Sequence, residues 1–331
     1  MRLLVISDGR PGHANLSEGI AAAIARNQTT SVHRMDVSRG RWPGPVAAIS
    51  TRSVLSDRRV LSMIYGIDPD TLPAADIVIS AGSETLAANI CTARVLGAQN
   101  VFYGSLRQYR ASDFTLVLTS YRQSVKASNI VQAIKPSALD PDTIRSVPAG
   151  KKPEHVGLLI GGPTSGVAYS LRDWQQLSNL VIATSQELGL GWIVSNSRRT
   201  PHEATTMFRE LAGNGGPVDQ FIDVDEPEGI ALSELFGRVD GVVCTADSSS
   251  MISESIWARR PTLALEPNTF RLTRKEMQYR SWLTQNGWFA SFKAAALQAE
   301  MLLQHMAQAK PLDHNPLDNY ATLLAQHLDL G

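Results

Sequence analysis

The stretch MRLLVISDGRPGHANLSEGIAAAIAR, residues 1–26, contains the signals of a strand, a glycine-bearing loop and a helix in succession. Residues 3–6 form a short apolar run that ends in β-branched side chains, which predicts a buried strand. Apolar residues then recur at helical spacing over residues 16–24, with Asn15 or Ser17 as the expected helix cap. This order predicts an α/β crossover whose loop lies at the carboxyl end of the strand.

The loop SDGRPGH within this stretch has two interpretations. Backbone N–H groups at a helix N-terminus can hold an anion, but a glycine-bearing turn without a ligand fits the same residues, and the dinucleotide pattern G-x-G-x-x-G is absent. The candidate ligand residues are Gly9, Arg10 and Gly12. Asp8 and His13 are candidates for proton transfer, since imidazole exchanges protons near neutral pH. Alternatively, Asp8 caps the turn and His13 only hydrogen-bonds to it.

The composition is that of a globular protein with room for two domains, since the chain has 331 residues, 43% hydrophobic and 19% charged. No apolar run reaches the ~18 residues of a membrane span, and the immediate strand at the N-terminus argues against a cleaved signal. Cys91 and Cys244 lie in apolar surroundings typical of reduced thiols, so we predict a cytoplasmic protein. The net charge is +5 over residues 1–150 and −5 over the remainder, which suggests different partners for the two halves.

Strand and helix signals alternate along both halves of the chain, on either side of a proline-rich segment at 135–155 that is typical of a linker. Such alternation predicts two parallel, doubly wound sheets. The predicted fold class is therefore α/β, with two facing Rossmann-like domains and a ligand cleft between them. The predicted strands are 2–7, 76–80, 100–103, 115–119, 156–161, 191–195, 240–244 and 261–265.

The expected domains are residues 1–145 and residues 152–310. The last segment, residues 311–331, contains the amphipathic pattern DNYATLLAQHL. It predicts a helix that could pack back on the first domain.

Two loops in the second half contain groups that suit a phosphate. The loop GGPTSG offers backbone N–H groups at Gly161 and Gly162 and hydroxyls at Thr164 and Ser165; a plain turn is the alternative.

The loop SNSRRTPHEA precedes a helix for which we expect a capping box spanning residues 200–203. Its candidate ligand residues are Ser197, Arg198, Arg199 and Thr200. Two arginines beside a positive helix end are unfavourable unless an anion joins them, which predicts a diphosphate; otherwise both extend into water.

The stretch CTADSSSMISES predicts a buried strand that ends at Cys244 and a helix that begins near Ser249. A carboxylate one turn into this helix, Glu254, can accept hydrogen bonds from both hydroxyls of a ribose. The alternative is ordinary compensation of the helix dipole, worth ~0.3–1 kcal/mol. The candidate ligand residues here are Ala246, Asp247, Ser248, Ser249, Ser250, Met251, Ser253 and Glu254.

In the first half, SAGSETLAANI repeats the order of strand, glycine and hydroxyl groups. Gly82, Ser83 and Glu84 are therefore candidates for sugar or acceptor contacts. A plain turn is again the alternative.

Four motifs between residues 8 and 255 resemble one protein family: DGRPGHANLSEG, LLIGGPTSG, SRRTP and TADSSSMISES. It is the family named after plant mitochondrial-fission ("elongated mitochondria") proteins, whose bacterial members are labelled predicted nucleoside-diphosphate-sugar epimerases. The fold that this resemblance implies is that of the GT-B glycosyltransferases.

The stretch TADSSSMISESIWARRPTLALEP is also similar to the nucleotide-sugar site of the lipid-linked N-acetylglucosaminyltransferase of peptidoglycan synthesis. By this resemblance Glu254 holds the ribose, and the loop with Gly12 and His13 faces the acceptor. GRPG and TADSSS also resemble loops of the non-hydrolysing UDP-N-acetylglucosamine epimerase. That enzyme has His-Arg-Arg-Glu where this chain has SRRT, so transfer is favoured over epimerisation.

The resemblance implies a glycosyltransferase that needs no metal or other cofactor and uses a nucleoside-diphosphate sugar. Arg198, Arg199 and the GGPTSG amides would stabilise the leaving diphosphate, and His13 beside Asp8 would deprotonate an acceptor hydroxyl. The sequence has no His/Cys spacing typical of a metal site, and its Asp-x-Asp runs at 68–70, 140–142 and 223–225 are scattered rather than clustered, so we expect no bound metal. The alternatives are a nucleoside-diphosphate-sugar epimerase and a non-catalytic scaffold related to the mitochondrial-fission proteins.

The segment 38–59 contains five arginines and one aspartate, together with Trp42 and several apolar residues. This mixture can bind an anionic membrane surface or a lipid-linked acceptor, so we expect peripheral contact with the inner face of a membrane. A solvated loop and helix is the alternative. No nucleic-acid partner is expected, because basic and aromatic residues do not alternate over a long face and the pI is about 7.1.

Overall fold

The computed structural model describes residues 1–122, 127–148, 150–226 and 231–330. The chain divides into two compact units. Unit 1 comprises Met1–Ala138 together with Pro316–Gly331, and unit 2 comprises Leu139–Asn315. The first boundary lies within the proline-rich segment at 135–155.

Unit 1 contains one parallel sheet of six strands. The strands are β1 (Arg2–Ser7), β2 (Ser31–Asp36), β3 (Ile77–Ala81), β4 (Gln99–Tyr103), β5 (Leu116–Thr119) and β6 (Ile130–Gln132). The helices between them are α1 (Pro11–Ala25), α2 (Gly44–Ser50), α3 (Asp57–Val60) and α4 (Leu86–Leu96). The strand order is β2-β1-β3-β4-β5-β6. The order reverses between β1 and β3, and open α/β sheets bind ligands in the loops at such a reversal.

Unit 2 contains a second parallel sheet of six strands and a small antiparallel pair. Its strands are β7 (His155–Leu159), β8 (Val167–Ala168), β9 (Gly191–Ser195), β10 (Gln220–Ile222), β11 (Gly241–Thr245), β12 (Thr262–Glu266), β13 (Thr269–Phe270) and β14 (Phe289–Lys293). Its helices are α5 (Leu171–Leu188), α6 (His202–Glu210), α7 (Leu232–Arg238), α8 (Ser249–Trp257), α9 (Arg274–Gln285) and α10 (Ala299–Gln308). The parallel sheet has the order β10-β9-β7-β11-β12-β14, and β8 pairs with β13. Here the order reverses between β7 and β11.

The predicted α/β fold class with two parallel sheets is confirmed. All eight predicted strands are present, each within two residues of its predicted bounds. The inner strands β3 and β11 are buried along their whole length, as expected for parallel strands that are covered on both faces.

The expected cap of the first helix is wrong. α1 begins at Pro11, four residues before Asn15, and Arg10 occupies the cap position without a side-chain hydrogen bond. Proline is favoured at the first helical position because its fixed φ suits a helix and its missing N–H is not needed there. His13 therefore lies in the first turn of α1 rather than in the loop before it.

A last helix, α11 (Pro316–Ala325), returns to unit 1 and packs on α1. Its buried face includes Leu317, Tyr320 and Leu324. The Tyr320 hydroxyl donates a hydrogen bond to the carbonyl of Ile134, and Arg26 Nε lies 2.6 Å from an Asp318 carboxylate oxygen. The C-terminal segment is thus part of the unit that begins the chain.

Two further sequence expectations concern the surroundings of the chain. Among the described residues, no helix combines the length and apolarity that a membrane span requires. Cys91 and Cys244 are both buried free thiols. Burial raises the pKa of the Cys244 thiol to about 12, so this side chain stays protonated at neutral pH.

Candidate functional site

Three loops of unit 2 lie side by side because they follow neighbouring strands. β9, β7 and β11 are adjacent and parallel, so the loops after them meet at the carboxyl edge of the sheet. The strand order reverses between β7 and β11 at the same edge, which is where open α/β sheets bind ligands. We call this arrangement the three-loop edge.

The Asp247 carboxylate joins the three loops. Its side chain is completely buried, with 0% exposure. Oδ2 accepts hydrogen bonds from the Gly162 N–H at 3.1 Å and from Arg199 Nη2 at 2.8 Å. Oδ1 accepts one from the Thr245 hydroxyl at 2.7 Å. One side chain therefore connects the segments that follow β7, β9 and β11.

Arg199 completes this connection from the exposed side. Its Nη1 donates to the Gly162 carbonyl at 3.1 Å. A Cβ on Gly162 would come within 1.8 Å of the Arg199 carbonyl oxygen, so only glycine permits this approach. Asp247 is therefore an internal counter-charge for Arg199, so the predicted need for an external anion applies to Arg198 and not to Arg199.

Arg198 is in a different situation from its neighbour. Its side chain is exposed and, within the ranges that the structure describes, makes no hydrogen bond or ion pair. The turn that presents it is fixed by Thr200, whose hydroxyl accepts from the Ser197 N–H and donates to the Ile160 carbonyl, both at 2.8 Å. The loop thus pairs Arg199 with an internal carboxylate and presents Arg198 without a partner in the described structure.

The predicted capping box at the start of α6 is wrong. The helix begins at His202, and Pro201 occupies the cap position without a side-chain hydrogen bond. The Thr200 hydroxyl, which we expected to cap the helix, is engaged within its own loop.

The helix after β11 begins where the sequence predicts. α8 starts at Ser249, and the Ser248 hydroxyl caps it by accepting from the Met251 N–H at 3.3 Å. Ser253 is only 1% exposed. Its hydroxyl donates to the Ser249 carbonyl and lies 2.8 Å from the Tyr279 hydroxyl. Its burial and internal partners therefore do not support the predicted ligand contact at Ser253.

The remaining predicted ligand residues of unit 2 differ in exposure. The exposed ones are Thr164, Ser165, Arg198, Arg199 and Ser250. The partly exposed ones are Ser197, Thr200, Asp247, Ser249, Met251 and Glu254, although the Asp247 carboxylate itself is buried. The buried ones are Gly161, Gly162, Ala246 and Ser248. Any side chain that meets a ligand from solvent therefore belongs to the first two groups.

Two residues that support the three-loop edge were not predicted from the sequence. The Tyr169 hydroxyl accepts from the Ala246 N–H at 2.6 Å, and Arg280 Nη2 donates to the Ala246 carbonyl at 2.8 Å. Burial raises the pKa of the Tyr169 phenol, which keeps it protonated. Neither residue belongs to a motif, since both are distant in sequence from the residue that they hold.

Unit 1 has its own cluster where its strand order reverses. The Asp8 side chain, which follows β1, is only 1% exposed, and the two carboxylate oxygens lie 2.8 and 3.0 Å from Nδ1 of His13. His13 is 31% exposed at its side chain. A neutral imidazole that donates from Nδ1 keeps Nε2 as a hydrogen-bond acceptor. The pair therefore has the geometry of a general base with a carboxylate behind it.

The loop after β3 closes around this pair. A Cβ on Gly82 would come within 2.3 Å of His13 Nδ1, and the φ of Gly82 is +92°, so a side chain here is disfavoured twice. Arg10 Nη2 lies 3.5 Å from a Glu84 carboxylate oxygen and connects the two loops. Of the predicted residues, Gly9, Arg10 and Gly12 are exposed, whereas Gly82, Ser83 and Glu84 are partly exposed.

Metal-ligating side chains do not gather at either cluster. Within the described part of the chain, no group of three or more His, Cys, Asp or Glu residues is placed to hold a metal ion.

Two Rossmann-like units in one chain, each with a parallel sheet whose strand order reverses once, have the architecture of the GT-B fold. The family model "Mitochondrial fission ELM1" matches residues 11–327, and the chain belongs to this family. The predicted family resemblance is thereby confirmed. A search of curated proteins found no match.

Solved structures with a similar fold include epimerases and glycosyltransferases. The UDP-GlcNAc 2-epimerase from Methanocaldococcus jannaschii has a TM-score of 0.58 at 13% identity, with 100% of each chain covered. S. aureus MnaA, solved with UDP, has a TM-score of 0.56 at 10% identity, covering 98% of this chain and 95% of that one. The glycosyltransferase SnogD from Streptomyces nogalater has a TM-score of 0.50 at 13% identity, covering 99% and 95%. At these identities the likeness shows the fold.

Proposed function

We propose that this protein is a metal-independent glycosyltransferase that moves a sugar from a nucleoside-diphosphate sugar to an acceptor hydroxyl. The observation that carries the proposal is Arg198, an exposed arginine without a counter-charge in the described structure, on the three-loop edge. The buried Asp247 carboxylate fixes the loops of that edge by accepting hydrogen bonds from Gly162, Arg199 and Thr245. A cation presented in this way suits an anionic ligand such as a diphosphate.

Unit 2 binds the donor in this proposal. The first turn of α8 presents backbone N–H groups, and its dipole favours negative charge. Together with Arg198 they stabilise the charge that develops on the diphosphate as the sugar leaves. Thr164 and Ser165 add exposed hydroxyls to the neighbouring loop. Glu254, partly exposed in the second turn of α8, accepts hydrogen bonds from the ribose hydroxyls.

Unit 1 supplies the base in this proposal. The acceptor hydroxyl transfers its proton to Nε2 of His13 as its oxygen bonds to the anomeric carbon. The bond from that carbon to the diphosphate oxygen breaks at the same time. The Asp8 carboxylate, 2.8 Å from Nδ1, stabilises the positive imidazolium that forms. The acceptor itself is proposed only as a hydroxyl compound, with a lipid-linked one as the first to test.

A second candidate is epimerisation of a nucleoside-diphosphate sugar, because the protein from Methanocaldococcus jannaschii with a similar fold is such an epimerase by name. The stretch SRRT argues against it, since it lacks the histidine and the glutamate of the epimerase run. A non-catalytic scaffold is the third candidate, and it has no need for an unpaired arginine at the three-loop edge.

Calorimetric titration with UDP, ADP, GDP and UDP-N-acetylglucosamine tests the binding step. Arg198→Ala should weaken the best of these ligands at least tenfold, because a hydrogen bond to a charged group is worth ~1.5–3 kcal/mol. Arg172→Ala is the matched control, since Arg172 is an exposed arginine of unit 2 without a partner in the described structure. Equal affinity of both variants, or no binding by the parent protein, would contradict the proposal.

The chemical step is tested by incubating the parent protein and the bound nucleotide sugar in D₂O. An epimerase that removes and returns a proton places deuterium on the inverted carbon, whereas a transferase does not. A transferase instead moves radiolabelled sugar into the organic-solvent extract of added membranes, and His13→Asn should abolish that transfer while nucleotide affinity is kept. Transfer that is unchanged in His13→Asn would remove the histidine from the mechanism.

A further inference from the structure

Exposed large apolar side chains are concentrated in one part of unit 1. Eight such residues are found in the described chain, and five of them lie between residues 42 and 63. They are Trp42 at 41%, Val46 at 37%, Ile49 at 68%, Val54 at 105% and Met63 at 55% exposure. We call these five residues the α2 patch. Single exposed apolar residues are normal, but a cluster of this kind indicates an interaction surface.

The short helix α2 is apolar on both of its faces. Ala47 and Ala48 are buried against the core of unit 1. The exposed positions are Pro45, Val46 and Ile49, none of which is polar. A surface helix ordinarily presents charged residues to water on its outer face. The outer face of α2 is therefore suited to an apolar environment.

The other members of the patch adjoin this helix. Trp42 Nε1 donates a hydrogen bond to the Met63 carbonyl at 3.1 Å, which brings the two ends of the patch together. Met63 lies in a π-helical turn, Leu61–Tyr65, that directly follows α3. Val54 lies in the loop between α2 and α3 and is fully exposed. The patch is thus formed by α2 and by the two segments that flank it.

Positive charge accompanies the patch. Arg41 and Arg59 are exposed and have no side-chain partner within the described residues. Arg58 pairs with Asp70. Two further arginines are paired in the same region, Arg52 with Asp113 and Arg94 with Asp57. Asp57, Asp70 and Asp113 are therefore paired with arginines, and Asp68 accepts a hydrogen bond from the Asp70 N–H. Arg41 and Arg59 leave unpaired positive charge on this surface.

We propose that the α2 patch is a docking surface for a bilayer that contains anionic phospholipids. The aliphatic and aromatic side chains enter the boundary between headgroups and acyl chains, and Arg41 and Arg59 bind lipid phosphates. A polar rim is common to protein interfaces, so a bilayer is favoured by Arg41 and Arg59, whose unpaired positive charge matches lipid phosphates beside the apolar side chains. A nucleic-acid surface would not present Ile49 and Val54 to the ligand. The proposal goes beyond glycosyl transfer and is independent of nucleotide binding.

Sedimentation of the full-length protein with vesicles tests this surface. Vesicles of phosphatidylcholine with about one third phosphatidylglycerol should bind the protein at low salt, and pure phosphatidylcholine should bind it much more weakly. Binding should weaken at 0.5 M salt, because surface electrostatics are screened there. Absence of binding to the anionic vesicles at low salt would overturn the proposal and would favour a protein partner.

Two pairs of variants locate the contact. Ile49→Ser combined with Val54→Ser should weaken vesicle binding at least tenfold, whereas Leu171→Ser combined with Met277→Ser, which removes exposed apolar residues of unit 2, should not. Arg41→Gln combined with Arg59→Gln should weaken it on the order of fivefold per arginine, whereas Arg172→Gln combined with Arg274→Gln should not. All four variants alter exposed side chains, and thermal unfolding verifies that they fold. Equal effects of patch and control variants would overturn the proposal.

Discussion

Asp8 in unit 1 and Asp247 in unit 2 are both buried carboxylates at the point where the strand order of their sheet reverses, with 1% and 0% side-chain exposure. Their partners differ. Asp8 faces the imidazole of His13, which can gain and lose a proton, whereas Asp247 faces the guanidinium of Arg199, which keeps its charge. The same acidic group thus faces an ionisable partner in one unit and a permanent charge in the other.

The two carboxylates also differ in what they connect. The hydrogen bonds of Asp8 remain within its own segment, where it accepts from the Arg10 N–H at 3.3 Å and faces His13. Asp247 accepts from groups that follow or end three different strands, namely Gly162, Arg199 and Thr245. The local structure of unit 2 should therefore depend on its carboxylate more strongly than that of unit 1.

The largest expected difference in stability is between two glycine-to-alanine variants, one in each unit. In Gly162→Ala the new Cβ would lie 1.8 Å from the backbone oxygen of Arg199, which cannot move without the loop, and we expect a loss of about 3 kcal/mol. In Gly82→Ala the new Cβ meets the movable ring of His13, and the positive φ adds strain, for a loss of about 1–2 kcal/mol. Urea unfolding measures both. Similar losses would show that the three-loop edge is no more constrained than the loop of unit 1.

A second contrast lies between neighbouring arginines. Arg199→Ala leaves the buried Asp247 with only neutral donors, and we expect a loss of about 2–3 kcal/mol, below the value for a fully buried pair because Arg199 is 45% exposed. Arg198→Ala removes an exposed side chain and should change stability by no more than ~0.5 kcal/mol. Tryptophan fluorescence follows the unfolding, since five of the six tryptophans lie in unit 2. If the two variants were equally stable, Asp247 would not depend on its cation.

The smallest expected difference between the two units is in how much stability each loses in acid. Burial opposes ionisation of Asp240, but N–H groups of Glu154 and His155 and the Arg145 guanidinium outweigh it and hold the pKa at about 2. A carboxylate whose pKa is lowered by folding stabilises the folded protein at every pH above its ordinary pKa near 4. This contribution, about 2 kcal/mol, is lost as the pH falls towards 2. Asp76 in unit 1 also has a pKa of about 2, held by its hydrogen bonds to Arg2, but its side chain is 40% exposed and contributes less.

Unit 2 should therefore lose stability before unit 1 between pH 4 and pH 2. Hydrogen exchange at each pH measures the two units separately. Asp240→Asn should flatten the acid dependence of unit 2, whereas Asp219→Asn, at a half-exposed position, should leave it unchanged. The prediction would be wrong if the amides of unit 1 lost their protection at a higher pH than those of unit 2.

The sequence predicts the inner strands and misses the outer ones for a physical reason. The strands at the two edges of each sheet are β2, β6, β10 and β14, and none of them was predicted. β2 has the sequence SVHRMD and no buried residue, because an edge strand need not be covered on both faces. Long apolar runs therefore mark only strands with neighbours on both sides.

The loops of the candidate site were predicted, but their internal partners were not. Glycines, serines and paired arginines after buried strands are visible in the sequence. The hydrogen bond between Arg199 and Asp247 spans 48 residues, and no local pattern indicates which of two adjacent arginines finds the carboxylate. Such pairing depends on strand order, which the sequence alone leaves open.

The return of α11 to unit 1 has a consequence for the order in which the protein is made. All of unit 2 is synthesised before α11, and unit 2 is one continuous segment of the chain. Unit 1 has its whole sheet at that time, yet the surface of α1 on which α11 packs is still bare. The first part of the chain to emerge is therefore the last to be completed.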